Sequence, residues 1–360
     1  MPGSRKRLGY WLSQKKCKKL SFSDIEDALR ERDIEPVKID LEEPIDKQGP
    51  FNGILHKLTD FIAKAENGDD EGQKVLQYFE SYIQDNPSVL VMDSIACLRT
   101  LINRYKTYCI INKCQLLNEE TAVFIPPFVE LQTNVYETNV HLLRLSKVNF
   151  PAVCKPVIAH GSSAHQMTLI FNESGLKDAI YPCVVQTFVN HNAVLYKLFA
   201  LGRKYTTVLR PSIKNFNNCE DLASIRFDGG EISKPNSSSR LAVQDEREVN
   251  GHLHESPCPK ILNRIVQAIN ESIGLGLFGV DVIVEASTGR IAIVDVNAFP
   301  GYEGVTDFPG RLADFVREEL DKSSHETSVI TRENGICNGT NDCRNLTNFR
   351  KTDTEKTSMA

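Results

Sequence analysis

Two segments late in the chain alternate between apolar and polar residues, which is the pattern of half-buried β-strands. They cover residues 280–285 and 290–297 and are rich in valine and isoleucine. The link between them contains the tripeptide Ser-Thr-Gly at 287–289. A three-residue hairpin loop that ends in glycine fits this link, and the pattern therefore predicts a β-hairpin.

The predicted register places chemically useful side chains together. Asp281 lies opposite Asp295, and the period of two puts Asn297 on the same face. Two carboxylates and an amide in an apolar hairpin suit Mg²⁺, which completes its coordination with phosphate and water. The alternative is a solvated hairpin face that carries acidic residues. The segment 298–304, which contains one proline and two glycines, favours the metal site, because such a loop brings backbone close to a ligand.

The first 110 residues alternate between strand and helix patterns, which indicates a small parallel α/β domain. The predicted strands are 7–12, 36–40, 53–56 and 88–92. Two helices are predicted, one that begins near residue 23 and one that covers 73–83. A lysine-rich segment, 13–19, follows the first strand and is predicted to be a loop. Ligands of such sheets bind beyond the carboxyl ends of the strands, so this segment suits an anionic small molecule. Solvated surface lysines are the alternative.

From about residue 122 the chain becomes rich in strands, and two of these carry a lysine among apolar neighbours. These are Lys155 in 150–157 and Lys197 in 193–201. Lysine is seldom buried without a partner, so the pair indicates cations for a polyphosphate. The loop 159–165 between two strands is a phosphate-covering flap or a plain surface hairpin.

The remaining segments are predicted from composition and periodicity. The stretch 215–257 is polar and is predicted to be a loop or insertion. Helices are predicted at 259–273 and near 311–320, and disorder from about 322. The sequence Gly-Leu-Gly-Leu-Phe-Gly at 274–279 matches a dinucleotide-binding pattern, but a helix precedes it and a strand follows it, so we reject that interpretation.

Composition narrows the class of protein. The chain has 360 residues, of which 41% are hydrophobic and 25% are charged, as in ordinary globular proteins. A net charge of −5 gives no general affinity for polyanions, so we expect no nucleic-acid partner. The ten cysteines form no CxxC pairs, and we recognise neither a secretory signal nor a membrane-spanning run. We therefore expect a cytoplasmic protein with reduced thiols and no membrane partner.

An ordered set of motifs resembles one known family. Its members are the Lys155 and Lys197 strands, His160-Gly161 with His165, Gln186-x-Phe188-Val189, Arg210-Pro211-Ser212, Asp281, and Asp295-x-Asn297 with the Pro-Gly loop. Together with the segments 9–11 and 56–60, this set is similar to the inositol 1,3,4-trisphosphate 5/6-kinases, also called inositol-tetrakisphosphate 1-kinases. The likeness extends to about residue 320.

The resemblance implies an α/β (α+β) ATP-grasp fold. A small parallel-sheet domain that binds inositol phosphate would cover 1–112. Two antiparallel-sheet subdomains, 113–209 and 210–322, would enclose ATP, and a disordered tail would cover 323–360. The protein would act as a monomer, with ATP and two Mg²⁺ ions as cofactors.

The resemblance also implies roles for individual residues. The nucleotide would contact Arg104, Lys155, Gln186, Thr187, Phe188, Val189, Lys197, Ser212 and Ser233. Magnesium would bind Asp281, Asp295 and Asn297. The inositol phosphate would bind Lys16, Lys57, His165, Lys197, Arg210, Asn297 and Gly301. Lys197, Arg210 and Asp295 would take part in catalysis.

The implied activity is transfer of the ATP γ-phosphate to inositol 1,3,4-trisphosphate at the 5 or 6 position, and to inositol 3,4,5,6-tetrakisphosphate at the 1 position. One rival is an ATP-grasp ligase, which forms an acyl phosphate and needs an amine acceptor. The other is an inositol-phosphate-binding module with an inert nucleotide site.

Overall fold

The computed structural model describes residues 5–114, 122–216, 221–243 and 256–336. Its N-terminal part is a four-stranded parallel sheet in the order β2-β1-β3-β4, flanked by helices. In chain order the elements are β1 (Lys6–Trp11), α1 (Gln14–Leu20), α2 (Phe22–Arg30), β2 (Ile34–Lys38), α3 (Ile45–Gln48), β3 (Gly53–His56), α4 (Thr59–Glu66), α5 (Asp70–Asp85), β4 (Leu90–Met92), α6 (Ile95–Ile102) and α7 (Arg104–Asn112). The predicted parallel α/β domain is confirmed.

The lysine-rich segment after β1 is a helix, and the prediction of a loop is wrong. Ser13 caps α1 by accepting a hydrogen bond from the Lys16 backbone N–H at 3.3 Å. Lysine is a good helix former, and a capped turn offsets the cost of starting a short helix. The helix buries Lys16 and Leu20 and leaves Lys15, Lys18 and Lys19 exposed, so the lysines face different surroundings.

Two five-stranded sheets form the rest of the molecule. One has the order β11-β10-β13-β14-β5 and the other β12-β8-β7-β9-β6. All their strand pairs are antiparallel except β14 with β5. Their elements are β5 (Val123–Phe124), β6 (Phe128–Leu131), α8 (Tyr136–Leu145), β7 (Ala152–Pro156), β8 (Gln166–Ile170), β9 (Cys183–Thr187), β10 (Val194–Leu201), β11 (Lys204–Pro211), β12 (Ile225–Asp228), α9 (Gly229–Ile232), α10 (Pro259–Ile273), β13 (Leu277–Val284), β14 (Ile291–Ala298) and α11 (Phe308–Ile336), with short 3₁₀ turns at Ser162–His165, Glu173–Asp178 and Arg240–Ala242.

The sheets divide the chain differently from the predicted boundary at 209/210. Strand β10 precedes that boundary and β11 crosses it, yet β10 pairs with both β11 and β13 in one sheet. Strand β12 follows the boundary but pairs with β8 in the other sheet. This strand and α9 lie within 215–257, so part of that predicted loop is regular structure, and 217–220 and 244–255 lie outside the described residues.

The hairpin of β13 and β14 pairs Asp281 with Asp295 as predicted, but its loop length and its strand register differ from the prediction. Asp281 lies opposite Asp295, as predicted. Glu285 N–H bonds to Arg290 O at 2.8 Å, so the loop has one residue more than predicted. The pairing then shifts between Asp281 and Val282, because Val294 is the extra residue of a β-bulge. The two departures cancel and restore the predicted pair.

Hydrophobic contacts join the N-terminal sheet to the rest of the molecule. One buried cluster contains Leu8 and Leu55 from that sheet, Phe199 and Leu277 from β10 and β13, and Leu312 from α11. Asp93 adds a polar link, since its carboxylate accepts a hydrogen bond from the Leu277 backbone N–H at 3.1 Å. The N-terminal domain is thereby held against the sheet that carries the hairpin.

The last helix is longer than predicted. It continues to Ile336, so the beginning of the predicted disordered tail, 323–336, is helical. The rest of that tail, 337–360, lies outside the described residues. Within the described ranges, no helix is both long and apolar enough to cross a bilayer.

Candidate active site

A cavity of about 180 Å³ lies between the two five-stranded sheets. Strands β7 and β9 contribute residues from one sheet, and β10, β13 and β14 from the other. All the predicted nucleotide and metal residues line it, and so do three of the seven predicted acceptor residues, two of which also have one of those roles: Arg104, Lys155, His165, Gln186, Thr187, Phe188, Val189, Lys197, Ser212, Ser233, Asp281, Asp295 and Asn297. These residues are far apart in the sequence, and the packing of the two sheets brings them together.

Lys155 is a deeply buried cation of this cavity, with 7% of its surface exposed. Its Nζ donates to Gln186 Oε1 at 2.8 Å, Val294 O at 2.8 Å and Tyr108 Oη at 3.0 Å. Burial lowers the pKa of Lys155 to about 8, although the nearby Asp295 carboxylate opposes the shift. The amine is therefore charged at neutral pH, and its partners hold it in one position.

The β-bulge supplies part of this arrangement. The carbonyl of the bulged Val294 accepts hydrogen bonds from Lys155 and, at 2.6 Å, from Tyr108 Oη. Bulges commonly redirect groups next to functional sites. Here the bulge both restores the Asp281–Asp295 pair and supplies an acceptor that fixes Lys155.

Two carboxylates of the hairpin lie close to cations. Lys197 Nζ lies 2.9 Å from Asp281 Oδ1, and Arg104 Nη2 lies 3.5 Å from Asp295 Oδ2. Burial tends to raise the pKa of Asp295, but the positive charges of Arg104 and Lys155 outweigh it and lower the pKa. Asp295 is therefore ionised at neutral pH.

The hairpin side chains fit a magnesium ion. Asn297 Nδ2 lies 3.5 Å from Asp281 Oδ2, so the amide and this carboxylate are neighbours. Asp281 Oδ1 is buried and accepts no hydrogen bond of good geometry, even though Lys197 is close. Across the described ranges no group of three or more His, Cys, Asp or Glu forms a metal site. Two carboxylates and an amide nevertheless match the oxygen ligands that Mg²⁺ takes beside phosphates.

Two site residues were missed by the sequence analysis. Tyr108, on α7, is buried and contacts Lys155. His191 is also buried; its Nδ1 lies 2.6 Å from Val189 O and its Nε2 lies 2.7 Å from Ser212 Oγ. Burial lowers the pKa of His191 to about 4, so the ring is neutral and orients the Ser212 hydroxyl. The polar tripeptide Asn-His-Asn at 190–192, which ends the apolar run 182–189, is a weak sequence signal for this histidine.

Four predicted acceptor residues do not line the cavity; Lys16 and Lys57 are two of them. Lys16 Nζ donates to Phe299 O at 2.7 Å and to Pro300 O at 2.5 Å. Lys57 Nζ donates to Phe299 O at 2.9 Å and to Ala298 O at 3.2 Å. Burial lowers the pKa of Lys57 to about 8, and burial together with the charge of Lys57 lowers the pKa of Lys16. Both amines hold the carbonyls that follow β14.

Arg210 and Gly301 lie in the same region as these lysines. Arg210 Nη2 donates to Glu303 O at 2.5 Å, in the loop that contains Gly301. The predicted acceptor residues thus form two groups. One group lies in or around the loop after β14 and consists of Lys16, Lys57, Arg210 and Gly301. The other group lines the cavity and consists of His165, Lys197 and Asn297.

The loop 159–165 connects the cavity with the N-terminal domain. His160 Nε2 lies 2.6 Å from Asp60 Oδ1 on α4, and Ala159 N–H bonds to Ile102 O at 2.7 Å. His165, at the other end, lines the cavity. The loop therefore joins the cavity to the N-terminal domain and is more than an isolated surface hairpin.

A larger cavity, of about 550 Å³, lies elsewhere, between β4, β10 and α11. It contains none of the predicted site residues. Its buried acid, Asp93, has a pKa that burial raises to about 7, and both carboxylate oxygens accept backbone hydrogen bonds. This side chain is used in domain packing, so the smaller cavity remains the candidate active site.

The fold and the site define the class of protein. The molecule has a parallel-sheet domain and two largely antiparallel sheets that enclose a cationic cavity, and this arrangement makes it an ATP-grasp protein. Solved structures agree. D-cycloserine synthetase DcsG has a TM-score of 0.57 at 12% identity, over 87% of this chain and 99% of that chain. D-alanine–D-alanine ligase from Bacillus anthracis complexed with ATP has a TM-score of 0.50 at 14% identity, over 89% and 99%. Such low identities establish the fold alone.

Sequence comparison identifies the family. The family model described as "Inositol 1,3,4-trisphosphate 5/6-kinase ATP-grasp domain" matches residues 117–318 of this chain. The model of the same family's pre-ATP-grasp domain matches residues 7–98. The inositol-tetrakisphosphate 1-kinase of Xenopus laevis is 42% identical over 90% of this chain and 82% of its own length. That of Danio rerio is 40% identical over 93% and 81%. The chain belongs to the inositol 1,3,4-trisphosphate 5/6-kinase family, as the resemblance predicted.

Proposed function

We propose that the chain transfers the γ-phosphoryl group of ATP to a ring hydroxyl of an inositol phosphate. The proposed acceptors are inositol 1,3,4-trisphosphate, at the 5 or 6 position, and inositol 3,4,5,6-tetrakisphosphate, at the 1 position. Family membership supports the reaction class. The observation that carries the proposal is the adjacency of two cationic groups, one facing the hairpin carboxylates and one around the loop that follows the hairpin.

The cavity has the charge balance that a magnesium–nucleotide complex needs. Arg104, Lys155 and Lys197 stand against Asp281 and Asp295, so three cations face two carboxylates. The positive excess favours phosphates, while the carboxylates remain available for a metal ion. In a magnesium–nucleotide complex, Asp281 and Asp295 would serve as metal ligands, and Arg104, Lys155 and Lys197 would be available to the phosphate oxygens.

Phosphoryl transfer asks mainly for position and for neutralisation of charge. Asp281, Asp295 and Asn297 would hold magnesium, which would supply positive charge to offset that of the phosphates. Lys155 is held by three hydrogen bonds and binds the nucleotide phosphates. Lys197, on β10, lines the cavity beside Asp281 and stabilises the transferred phosphoryl group.

The acceptor site is the second cationic group. A sugar hydroxyl flanked by phosphates needs cations of its own, which Lys16, Lys57 and Arg210 provide. Lysines act there as point charges, whereas arginine offers a planar fork. A loose transition state lessens the need for a strong general base, and His165 and Asp295 are the candidates for accepting the hydroxyl proton.

The deciding experiment incubates the protein with ATP, Mg²⁺ and a panel of inositol tris- and tetrakisphosphates and resolves the products by isomer. The proposal expects a stable phosphorylated inositol and ADP in equal amounts. Release of inorganic phosphate that requires an amine acceptor would instead support a ligase. Binding of inositol phosphates without turnover, in a protein that Mg²⁺ and ATP do not stabilise, would support a non-enzymatic module.

A further inference from the structure

An ion pair between Lys19 and Glu303 lies over the acceptor loop, and neither residue belongs to the set that the resemblance implies. Resting on the proposed function, we propose that this pair is a displaceable part of the acceptor site. A phosphate group of the inositol phosphate replaces the Glu303 carboxylate on Lys19. Lys19 is then a further acceptor-binding residue, and Glu303 is an internal competitor for it.

The position of the pair supports this role. Lys19 Nζ lies 2.6 Å from Glu303 Oε1, and the pair joins α1 of the N-terminal domain to the loop after β14. A Cβ atom placed on Gly301 would collide with Lys19 Cε and with both carboxylate oxygens of Glu303. The pair therefore packs directly against Gly301, a residue that the family resemblance assigns to the acceptor-binding site.

The charges around the pair indicate what it binds. The charge of Lys19 lowers the pKa of Lys16 and of Lys57, after the larger effect of burial, so the three amines form one group. Partial burial tends to raise the pKa of Glu303, but Lys19 and Arg210 outweigh it and lower the pKa. An ionised carboxylate thus lies beside Lys19 and near Lys16 and Arg210, where a phosphate of the acceptor would fit.

Accessibility makes the exchange feasible. The side chains of Lys19 and Glu303 are 51% and 44% exposed, unlike the buried Lys16 and the half-buried Lys57. Exposed ion pairs contribute little to stability, so breaking this one costs little. A phosphate carries more negative charge and more acceptor oxygens than a carboxylate, so it competes well for the same lysine.

The first test removes the cation. Lys19→Ala should raise the acceptor KM about tenfold, with kcat and the ATP KM changed less than about twofold, as expected for loss of one exposed charged contact to substrate. Lys18→Ala is the matched control, because Lys18 is an exposed lysine on the same helix with no ion pair among the described residues. Equal acceptor KM values in the two variants would overturn the proposal.

The second test removes the competitor. Glu303→Gln keeps the size of the side chain and frees Lys19, so the acceptor KM should fall about threefold. An unchanged or raised acceptor KM in Glu303→Gln would show that the carboxylate does not compete. Wild-type protein is assayed in parallel with inositol tris- and tetrakisphosphates. If it phosphorylates none of them, the proposed function fails; if it is active while Lys19→Ala matches Lys18→Ala, only this inference fails.

Discussion

The buried amine of Lys155 should make the use of ATP sensitive to alkaline pH. Burial lowers its pKa from 10.5 to about 8 and outweighs the attraction of Asp295. As the pH rises through this value, Lys155 loses the charge that we propose binds the nucleotide phosphates. We expect kcat/KM for ATP to fall about tenfold for each pH unit above about 8, since the charged fraction falls by that factor.

The profile of kcat should differ from that of kcat/KM. Bound phosphates favour the charged amine, so the pKa of Lys155 is higher in the nucleotide complex than in the free enzyme. Because kcat/KM reports groups of the free enzyme and kcat those of the complex, the alkaline decline of kcat should begin at higher pH.

The assay must separate Lys155 from Lys57, whose pKa burial also lowers to about 8. Initial rates between about pH 7 and pH 10 are measured twice, once with acceptor saturating and once with ATP saturating. Lys155 should govern the first series, and the acceptor lysines Lys16 and Lys57 the second. Lys155→Arg carries a cation that does not titrate in this range, so it should flatten the ATP series only. A wild-type kcat/KM for ATP that stays constant to about pH 9.5 would refute the reasoning.

Three substitutions test the remaining assignments. Asp295→Asn should lower kcat at least about 100-fold and the free energy of unfolding by about 3 kcal/mol, because buried Arg104 loses its counter-charge. The control for the urea-denaturation measurement is Asp314→Asn, at an exposed ion pair, which should change the free energy of unfolding by less than about 0.5 kcal/mol. Wild-type turnover by Asp295→Asn would contradict the metal assignment. Lys197→Ala should cost about 10²- to 10³-fold in kcat, and a change below about threefold would mean a structural role. Lys16→Ala should raise the acceptor KM far more than the ATP KM, and equal effects would remove Lys16 from the acceptor site.

The hairpin shows how far local pattern can be trusted. Alternation of apolar and polar residues predicted both strands and the pairing of Asp281 with Asp295, and the structure confirms that pairing. It did not predict the longer loop or the bulge at Val294. Whether a bulge forms depends on the groups that hydrogen-bond to the extra residue. Here these groups belong to Tyr108 and Lys155, which are more than 100 residues away in the chain.

The lysine-rich segment shows the complementary limit. Its composition indicated an anionic ligand, but the prediction of a loop was wrong, because a serine cap and good helix formers make α1. Helical spacing then separates the lysines. Lys16 turns inward to Phe299 O, 283 residues away, whereas Lys19 meets Glu303 at the surface. The roles of two nearly adjacent lysines differ for that reason.

The sequence by itself determined the strands and helices with clear periodicity, the parallel N-terminal sheet and the chemical types of the site residues. It did so because periodicity and propensity act over a few neighbouring residues. Only the tertiary structure decided which strands share a sheet, that His191 orients Ser212, and that Lys16 and Lys57 hold the carbonyls after β14. Those features depend on contacts between distant segments, whose geometry exists only once the apolar faces have packed together.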